Sequence, residues 1–488
     1  MAATRSGTAE AAVSWLAEHE REGIERLVEW LRIPSVSTDP AYRGEVRRAA
    51  EWAAEHLRAS GLHAELHPTG DTSADPAGTG HPIVFAQTPS ARSGSGPHIL
   101  FYGHYDVQPA DPLELWESPP FEPTIRPAQG GVGEVGERVV ARGAVDDKGQ
   151  VATFLEAVRA WSEASGTPAG GARITVLLEG EEESGSVNLE RYLEQRAELF
   201  RGCDVCVISD TGMLGRGRPA ITYGVRGLAY TEVVLHGPDQ DLHSGMWGGK
   251  APNPISELVK VLAQLWDADR RVTIPGFYEG VPEVEPGERS AWEALGVDEA
   301  EALRKIGLPP EASVGEAGYS FTEREWARPT AEINGIVGGY TGKGAKTVIP
   351  SHASAKVSFR LVGDQDPARI AKSFFDFCNA RTPPGCRWTF IDHGGGHAAT
   401  VATDSPLLRK AAEALRAASG AEPALIKTGG SIPVAGLLKQ RLGLETIFMG
   451  FGLDDDRVHS PNEKFELDCF RLGARAHALF IGELVGGA

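Results

Sequence analysis

Five short segments of the chain carry histidine and carboxylate side chains at spacings suited to metal binding. They are GHYDVQP with His104 and Asp106, RGAVDDKG with Asp146 and Asp147, LLEGEEESGS with Glu182 and Glu183, VISD with Asp210, and DRVHSPNE with His459. Mixed imidazole and carboxylate ligands suit Zn(II), Mn(II) or Co(II). Two such ions about 3.5–4 Å apart can share a water, lower its pKa and polarise a carbonyl. The pattern predicts a metallohydrolase with two divalent ions.

The adjacent glutamates Glu182 and Glu183 follow an apolar run, ITVLLEG at 174–180. If the segment is extended, neighbouring side chains point in opposite directions, so one carboxylate can bind metal while the other approaches the water from the substrate side. An isolated acidic run is more commonly a solvated turn. The position after an apolar run, together with the four other segments, favours the catalytic interpretation.

The other segments each have an explanation that involves no chemistry. Asp147 could cap a helix that begins nearby, with Lys148 facing solvent. A histidine such as His104 on a strand is commonly a hydrogen-bonded core residue. His393 and His397 in HGGGH resemble a metal site, but the glycine run favours a flexible return from an inserted domain. The occurrence of five ligand segments in one chain is what favours metal binding.

The ligand segments fall at the carboxyl ends of predicted strands. Apolar runs typical of buried strands are HILFYGHYDV from residue 98, ITVLLEG at 174–180, DVCVISD at 204–210 and ETIFMGFG at 445–452. Apolar residues with helical spacing follow Asp146, and amphipathic helices are predicted near 24–31 and 46–60. Alternating strands and helices with acids at the strand ends predict an open α/β sheet whose site lies beyond those ends.

A different pattern of elements begins at Gly227. It predicts a strand, a helix, a charged stretch at 270–328, strands at 331–337 and 353–362, a helix at 366–379 and a strand at 386–391. The order βα, insertion, ββαβ is compatible with a ferredoxin-like sandwich. Because ligand segments lie on both sides of it, we expect an inserted domain at 227–392 and a discontinuous domain made of residues 1–226 and 393–488.

The amino-acid composition limits which kinds of binding partner are expected. The 488 residues include 48 Lys and Arg against 67 Asp and Glu, a formal charge of −19. Without a basic run, this charge repels nucleic acid and anionic membranes, so neither is expected as a partner. The N-terminus lacks the apolar region of a signal peptide. Five cysteines, including Cys203 and Cys206 in a predicted buried strand, argue against a disulfide framework and for a cytoplasmic location.

The order of motifs resembles the M20 metallopeptidase family, in particular its branch of cytosolic non-specific and carnosine dipeptidases. Beyond the ligand segments, the resemblance rests on ITYGVRGLAY, DLHSGMWGG, GKGAKTVIP, SFRLV, GGSIPV and HSPNEK, and it runs from about residue 25 to the C-terminus. It implies an α/β fold: a zinc-exopeptidase-like catalytic domain with an inserted α+β ferredoxin-like lid and dimerisation domain.

The resemblance also implies a role for each ligand residue. His104 and Asp210 would complete one metal site, Glu183 and His459 the other, and Asp146 would bridge both. Asp106 would orient His104, and Glu182 would be the general base. The two ions are expected to be Zn(II) first, with Mn(II) or Co(II) as alternatives.

Substrate-side residues are expected in the inserted domain and the late loops. In the family, the histidine of DLHSG, here His243, reaches the active site of the partner subunit, which implies a homodimer through the inserted domain. Arg360 lies on the polar face of the alternating strand AKVSFRLV, where a guanidinium can clamp a terminal carboxylate. A plain loop histidine and an exposed strand arginine are the alternatives. Thr347, Asn334 and Ser431 are further candidates for substrate hydrogen bonds.

The expected activity is hydrolysis of the peptide bond of dipeptides by a metal-bridging hydroxide, with Glu182 as general base. An N-acyl-amino-acid deacylase or a related amidohydrolase of the same family is the nearest alternative. A catalytically inactive binding protein on the same fold is a third possibility, because fold alone does not fix function.

Overall fold

The computed structural model describes residues 2–73, 78–91, 93–128 and 136–486. Its helices are α1 (Ala2–Glu18), α2 (Glu20–Leu31), α3 (Arg43–Ala59), α4 (Lys148–Ser165), α5 (Leu189–Gln195), α6 (Ser244–Trp247), α7 (Pro254–Leu262), α8 (Pro286–Ala294), α9 (Glu299–Lys305), α10 (Phe321–Trp326), α11 (Pro367–Asn379), α12 (Pro406–Ser419), α13 (Pro433–Leu442) and α14 (Leu467–Gly486).

The strands are β1 (His63–His67), β2 (Ile83–Gln87), β3 (His98–His104), β4 (Thr124–Pro127), β5 (Glu137–Val140), β6 (Arg173–Glu179), β7 (Val205–Ile208), β8 (Ala220–Val225), β9 (Gly227–His236), β10 (Leu242–His243), β11 (Thr330–Gly338), β12 (Val348–Ile349), β13 (His352–Leu361), β14 (Arg387–Gly396), β15 (Ala399–Thr400), β16 (Ala424–Thr428), β17 (Thr446–Phe448) and β18 (Lys464–Glu466). Among the described residues, none of the helices has both the length and the apolar character needed to cross a membrane.

The chain folds as two compact units. The first comprises Met1–Tyr223, Val401–Ile426 and Leu438–Ala488, and the second comprises Gly224–Thr400 and Lys427–Leu437. The short segment Lys427–Leu437 groups with the second unit. One reason is that Arg226, within the second unit, donates its backbone N–H to the Gly430 carbonyl.

The first unit is built on a large sheet in which β1, β2, β6, β3, β7, β17 and β8 lie side by side in that order. β3 pairs in parallel with β6 and β7, and all its residues are buried. A strand covered on both faces is expected to be a continuous apolar run, as HILFYGH is. The register places His104 opposite Glu179, so the carboxyl ends of β3 and β6 meet at the same edge of the sheet.

Helix α4 follows Asp146 and Asp147 directly, and most of its first three turns are buried. Gly149 permits the close approach of its first turn to the preceding loop, because a Cβ atom there would lie 1.8 Å from the Ala144 carbonyl oxygen. The helix ends at Gly166, which has φ 66° and caps it in the left-handed conformation. Helices α1 and α14 pack against α4, and α12 packs against α14.

A small antiparallel sheet joins β18, β5 and β4 in that order. Lys464 in β18 pairs with Val140 in β5. The segment that follows His459 is therefore fixed beside the segment that leads to Asp146.

The second unit has a four-stranded antiparallel sheet with the order β11, β13, β9, β14. Alternate residues of β9 and β13 are buried, and helices α7 and α11 pack against these strands. Numbered along the chain, the strand order is second, third, first, fourth, which is that of the ferredoxin-like fold. The predicted α+β insertion is thus confirmed, and short helices α8, α9 and α10 occupy the charged stretch at 270–328.

The HGGGH segment differs from its prediction as a flexible return. His393–Gly396 form the end of strand β14, and Gly395 and Gly396 pair with Ala229 and Leu228 of β9. The glycines are required by close packing, because a Cβ atom on Gly395 would lie 1.9 Å from the Leu228 carbonyl oxygen.

Candidate metal centre

The first unit brings the five ligand segments together at the carboxyl edge of its sheet. His104 ends β3, the two glutamates follow β6, and Asp210 follows β7. Two groups of three residues each offer one ligand atom within 4.8 Å of the others: His104, Asp146 and Asp210 form one, and Asp146, Glu183 and His459 form the other. Asp146 belongs to both groups.

His104 is fully buried, and its two ring nitrogens have different surroundings. Nδ1 lies 3.1 Å from the carbonyl oxygen of Asp106 and 3.4 Å from its Oδ1. Nε2 lies 3.1 Å from Oδ1 of Asp146 and 3.8 Å from Oδ2 of Asp210, and among the described residues it has no partner of hydrogen-bonding geometry. A buried imidazole nitrogen that has no hydrogen-bond partner and faces two carboxylates is well placed to bind a divalent metal ion together with them.

Asp146 faces a different histidine with each carboxylate oxygen. Its Oδ1 is the atom near His104, and its Oδ2 lies 2.9 Å from Nε2 of His459. Burial raises the pKa of Asp146, but the close approach of the two histidines outweighs burial and leaves the pKa below its ordinary value. The residues present therefore fit two divalent ions that share this carboxylate.

His459 completes the second group. Its Nε2 lies 3.3 Å from Oε2 of Glu183, which also accepts a hydrogen bond of 2.8 Å from Gln108. Hydrogen bonds to Asp146 and Glu183 raise the pKa of His459 to about 10, against the effect of burial. The pKa of His104 is also raised well above its ordinary value, because the nearby carboxylates of Asp106 and Asp146 outweigh burial.

Asp106 joins the histidine to the glutamate segment. Its buried carboxylate accepts the backbone N–H groups of Glu182 (3.3 Å) and Glu183 (3.1 Å). Glu182–Ser184 form a 3₁₀ turn rather than the extended segment considered from the sequence. The turn is held by Asp106 and places its Glu183 carboxylate beside His459.

The carboxyl group of Glu182 is poised to hold a proton. Burial raises its pKa well above the ordinary value, His104 partly offsets this rise, and the carboxylates of Asp210 and Glu183 add to it. Burial, together with the nearby charge of Asp146, likewise raises the pKa of Asp210 to about 7. A carboxyl group with a raised pKa among ligand atoms can exchange protons near neutral pH.

Asp147 and Lys148, which follow Asp146, have surroundings that differ from those predicted from the sequence. The Asp147 side chain caps no helix; its Oδ2 accepts the backbone N–H of His104 at 3.2 Å. Lys148 is fully buried rather than solvent-facing, and its Nζ donates to the carbonyls of Ile33 (2.7 Å) and Trp30 (3.2 Å). Burial lowers the pKa of Lys148 to about 7.

Sequence reasoning missed three polar residues around the site. Gln108 binds Glu183, and Glu463, with its partner Arg142, is buried beside Asp146. The available signal was limited to Arg142, a charged residue that stands among small and apolar neighbours in VVARGAV. Charged residues are rarely buried unless they are paired.

In the second unit, Arg360 and Ser431 lie together. Arg360 is half-buried in β13, and its Nη1 donates to Oγ of Ser431 at 2.7 Å. Within the described part of the chain, no carboxylate raises the pKa of Arg360, which burial alone lowers from its ordinary value. The guanidinium thus keeps donors that are not neutralised by a protein carboxylate.

The other predicted substrate-side residues occupy exposed positions of the second unit. His243 in β10 pairs with Val348 in β12, and the neighbouring Ser244 donates its backbone N–H to the Thr347 carbonyl at 3.0 Å. Asn334 lies at a bulge in β11, where the register with β13 shifts. His243 and Thr347 are therefore brought to one short antiparallel strand pair, whereas Asn334 belongs to a different pair.

Comparison with known proteins agrees with the fold and with the family that the motifs resemble. The sequence profile of peptidase family M20/M25/M40 matches residues 100–483. The chain is 30% identical over 469 residues to Cys-Gly metallodipeptidase DUG1 of Saccharomyces cerevisiae, with 93% of this chain and 94% of that protein covered. It is 30% identical over 486 residues to the human Beta-Ala-His dipeptidase, with 96% and 90% covered.

A solved structure shares the whole architecture. The M20 family metallo-carboxypeptidase Sso-CP2 from Sulfolobus solfataricus matches with a TM-score of 0.80 and 30% sequence identity, covering 95% of this chain and 99% of that one. The resemblance inferred from the motifs is therefore confirmed over nearly the full chain. The protein belongs to peptidase family M20/M25/M40.

Proposed function

We propose that the protein is a dipeptidase with two divalent ions, held by His104 and Asp210 on one side, by Glu183 and His459 on the other, and by Asp146 between them. The observation that carries this proposal is the position of Asp146, whose two oxygens face the two histidines. Zn(II) is the first candidate, with Mn(II) and Co(II) as alternatives that the same ligands accept.

When bound, the ions supply Lewis acidity that polarises the scissile carbonyl and lowers the pKa of the attacking water. Glu182 accepts the proton of that water and returns it to the leaving amine. Its raised pKa supports this role, because a carboxylate with a raised pKa is a stronger base toward the water's proton. Asp106 keeps His104 and the turn of Glu182 in place.

Arg360 is the proposed partner of the substrate's C-terminal carboxylate. It is half-buried, its side chain bonds to Ser431, and a planar guanidinium can bind a carboxylate with two hydrogen bonds. Thr347 and Asn334 are proposed as additional substrate contacts. The names of the yeast and human relatives, which refer to Cys-Gly and Beta-Ala-His, support a dipeptide as substrate.

The insertion expected at 227–392 is the proposed lid and dimerisation domain, and the flanking residues 1–226 and 393–488 are the proposed catalytic domain. The second unit extends this insertion to Gly224–Thr400 and adds the segment Lys427–Leu437. His243 would act in the site of the partner subunit of a homodimer, where it stabilises the oxyanion. Its exposure supports this role. Strand β11 is an edge strand with exposed Ile336 and Val337, and an exposed apolar edge is suited to association with another chain.

The proposed location is the cytoplasm. All five cysteines are unpaired, and Cys206, Cys378 and Cys469 are buried. Unpaired cysteines suit a reducing compartment.

The test is hydrolysis of a panel of substrates by metal-stripped protein to which Zn(II), Mn(II) or Co(II) is restored. The panel contains Cys-Gly, carnosine, longer peptides and N-acetylated amino acids. Metal-restored cleavage of free dipeptides is the expected result. Cleavage of only the acylated compounds would identify a deacylase, and binding of two ions without cleavage of any substrate would identify a binding protein.

A further inference from the structure

Glu463 is a fully buried carboxylate that takes no direct part in the proposed chemistry. Its Oε1 accepts the backbone N–H groups of Val145 (3.0 Å) and Asp146 (3.1 Å). Its Oε2 accepts the backbone N–H of Gly143 (3.1 Å) and the Nη1 of Arg142 (2.7 Å). Four donors from the segment that ends in Asp146 thus converge on one side chain.

Glu463 also terminates the loop that carries His459. Three non-glycine residues of this loop have left-handed backbone conformations: Arg457 (φ 58°), His459 (φ 60°) and Asn462 (φ 64°). Such conformations persist where the surrounding structure imposes them. The side chain of Asn462 contributes by donating to the Leu115 carbonyl at 2.9 Å.

The base of the same loop is anchored by separate contacts. The Nζ of Lys464 lies 2.6 Å from Oδ1 of Asp456 and 3.0 Å from Oε1 of Glu466, and its backbone N–H donates to the Asp456 carbonyl. These contacts hold the ends of the loop to each other. The Glu463 carboxylate differs from them because it ties the loop to the backbone of Asp146.

We propose that Glu463 is a positioning residue that fixes His459 relative to Asp146 and thereby sets the affinity of the metal site formed by Asp146, Glu183 and His459. This inference rests on the proposed metal centre. The group formed by His104, Asp146 and Asp210 contains no residue of the His459 loop, so it depends on Glu463 less. Residues that hold metal ligands in place commonly change metal affinity about 10- to 100-fold when they are altered.

The negative charge and both oxygens of Glu463 are needed for this role. A glutamine has nearly the same shape, but it accepts hydrogen bonds at only one oxygen and turns an NH₂ group toward donors. In Glu463→Gln at least one backbone N–H near Asp146 would lose its acceptor, and Arg142 would lose its charged partner.

The test is a titration of metal-free, full-length protein with Co(II), followed by the visible absorption of the bound ion. Wild type is expected to bind two ions. In Glu463→Gln we expect one ion to bind about 10- to 100-fold more weakly, with a changed absorption spectrum, and the other ion to bind nearly as in wild type. The absorption spectrum reports ligand geometry, which a general loss of stability would not alter in the folded fraction.

Glu316→Gln is the matched control. Glu316 is a buried carboxylate of the second unit that pairs with Arg328 and Arg271. Its replacement also leaves buried donors unpaired, yet both Co(II) affinities should remain those of wild type.

Arg142→Gln is a second test that does not depend on the folding of Glu463→Gln. It removes the ion-pair partner and keeps the carboxylate, so the same Co(II) site should weaken by a smaller factor. Unchanged affinities in the folded variants, or an equal loss at both sites, would overturn the role of Glu463. Failure of wild type to bind two Co(II) ions would instead contradict the proposed metal centre.

Discussion

Asp146 is central to the site at the scale of single residues, because each of its oxygens faces a different histidine. Asp106 supports this arrangement from behind the proposed ligands. Its carboxylate contacts His104 and accepts the backbone N–H of Glu182. These two buried aspartates place imidazole and carboxylate atoms within a few ångströms of one another. Burial raises the pKa values of Glu182 and Asp210, and the charges of neighbouring carboxylates add to this rise.

Replacement of Glu182 by glutamine should remove the proton acceptor and leave the ligand atoms intact. We expect turnover of a cleaved dipeptide to fall at least about 100-fold, with two metal ions still bound. Steady-state kinetics and metal analysis of the same sample measure both quantities. Glu198→Gln, an exposed position of the same unit, serves as control, and full activity of Glu182→Gln would refute the role as base.

Metal binding to the apoprotein should release protons. Neutral imidazoles are required for ligation, whereas the raised pKa values of His104 and His459, the latter about 10, keep both protonated near neutral pH. The apparent metal affinity should therefore increase as pH rises toward about 10. Calorimetry in two buffers of different ionisation enthalpy counts the protons, and on the order of two per pair of ions are expected.

The control for this measurement is His63→Gln, at an exposed histidine of β1. It should release the same number of protons as wild type. Binding without proton release would show that the two histidines are already neutral in the apoprotein.

At the scale of elements, parallel strands β3, β6 and β7 end at the same edge of the sheet and deliver the ligands there. Helix α4 begins immediately beside this edge, and its first turn approaches the Ala144 loop closely at Gly149. The first turn of α4 and the loop that contains Ala144 are therefore in close contact. A change in that contact should affect stability more than helix propensity would suggest.

Gly149→Ala should destabilise the protein by about 3 kcal/mol, because its Cβ would meet a backbone carbonyl that cannot move aside freely. Gly44→Ala in α3 is the matched control, since a Cβ there meets no atom within 4 Å. It should be neutral or stabilise by up to about 1 kcal/mol through higher helix propensity. Urea unfolding measures both variants, and equal effects would contradict the packing argument.

In the whole molecule, the first unit carries the proposed metal ligands and the second unit carries His243 and Arg360. If His243 acts in the site of a partner subunit, each active site is composed of two chains. Two variants that are inactive for different reasons can then complement each other, because a hybrid dimer contains one site with both residues intact.

An equimolar mixture of His243→Ala and Glu182→Gln, after subunit exchange, should regain about a quarter of wild-type activity, since half of the dimers are hybrids with one working site each. The assay is dipeptide hydrolysis before and after exchange. A mixture of Glu182→Gln and His459→Ala is the control and should stay inactive, because both residues belong to one catalytic unit. Absence of complementation in the first mixture would contradict a shared site.

The candidate metal ligands, the α/β plan and the ferredoxin-like insertion could all be predicted from the sequence. Ligand residue types are visible in the letters, and strand and helix periodicities are local properties of the chain. For the same reason, the strand containing His104 and the helix after Asp146 were predicted near their observed positions.

The contacts between distant segments could not be predicted and are seen only in the folded chain. The burial of Lys148, the pairing of β14 through Gly395, and the bonds between Glu463 and the Asp146 segment join residues far apart in the chain. No local pattern encodes such contacts. Whether a charged residue is solvated or buried depends on which distant backbone groups pack against it. These contacts form only when the whole core is folded.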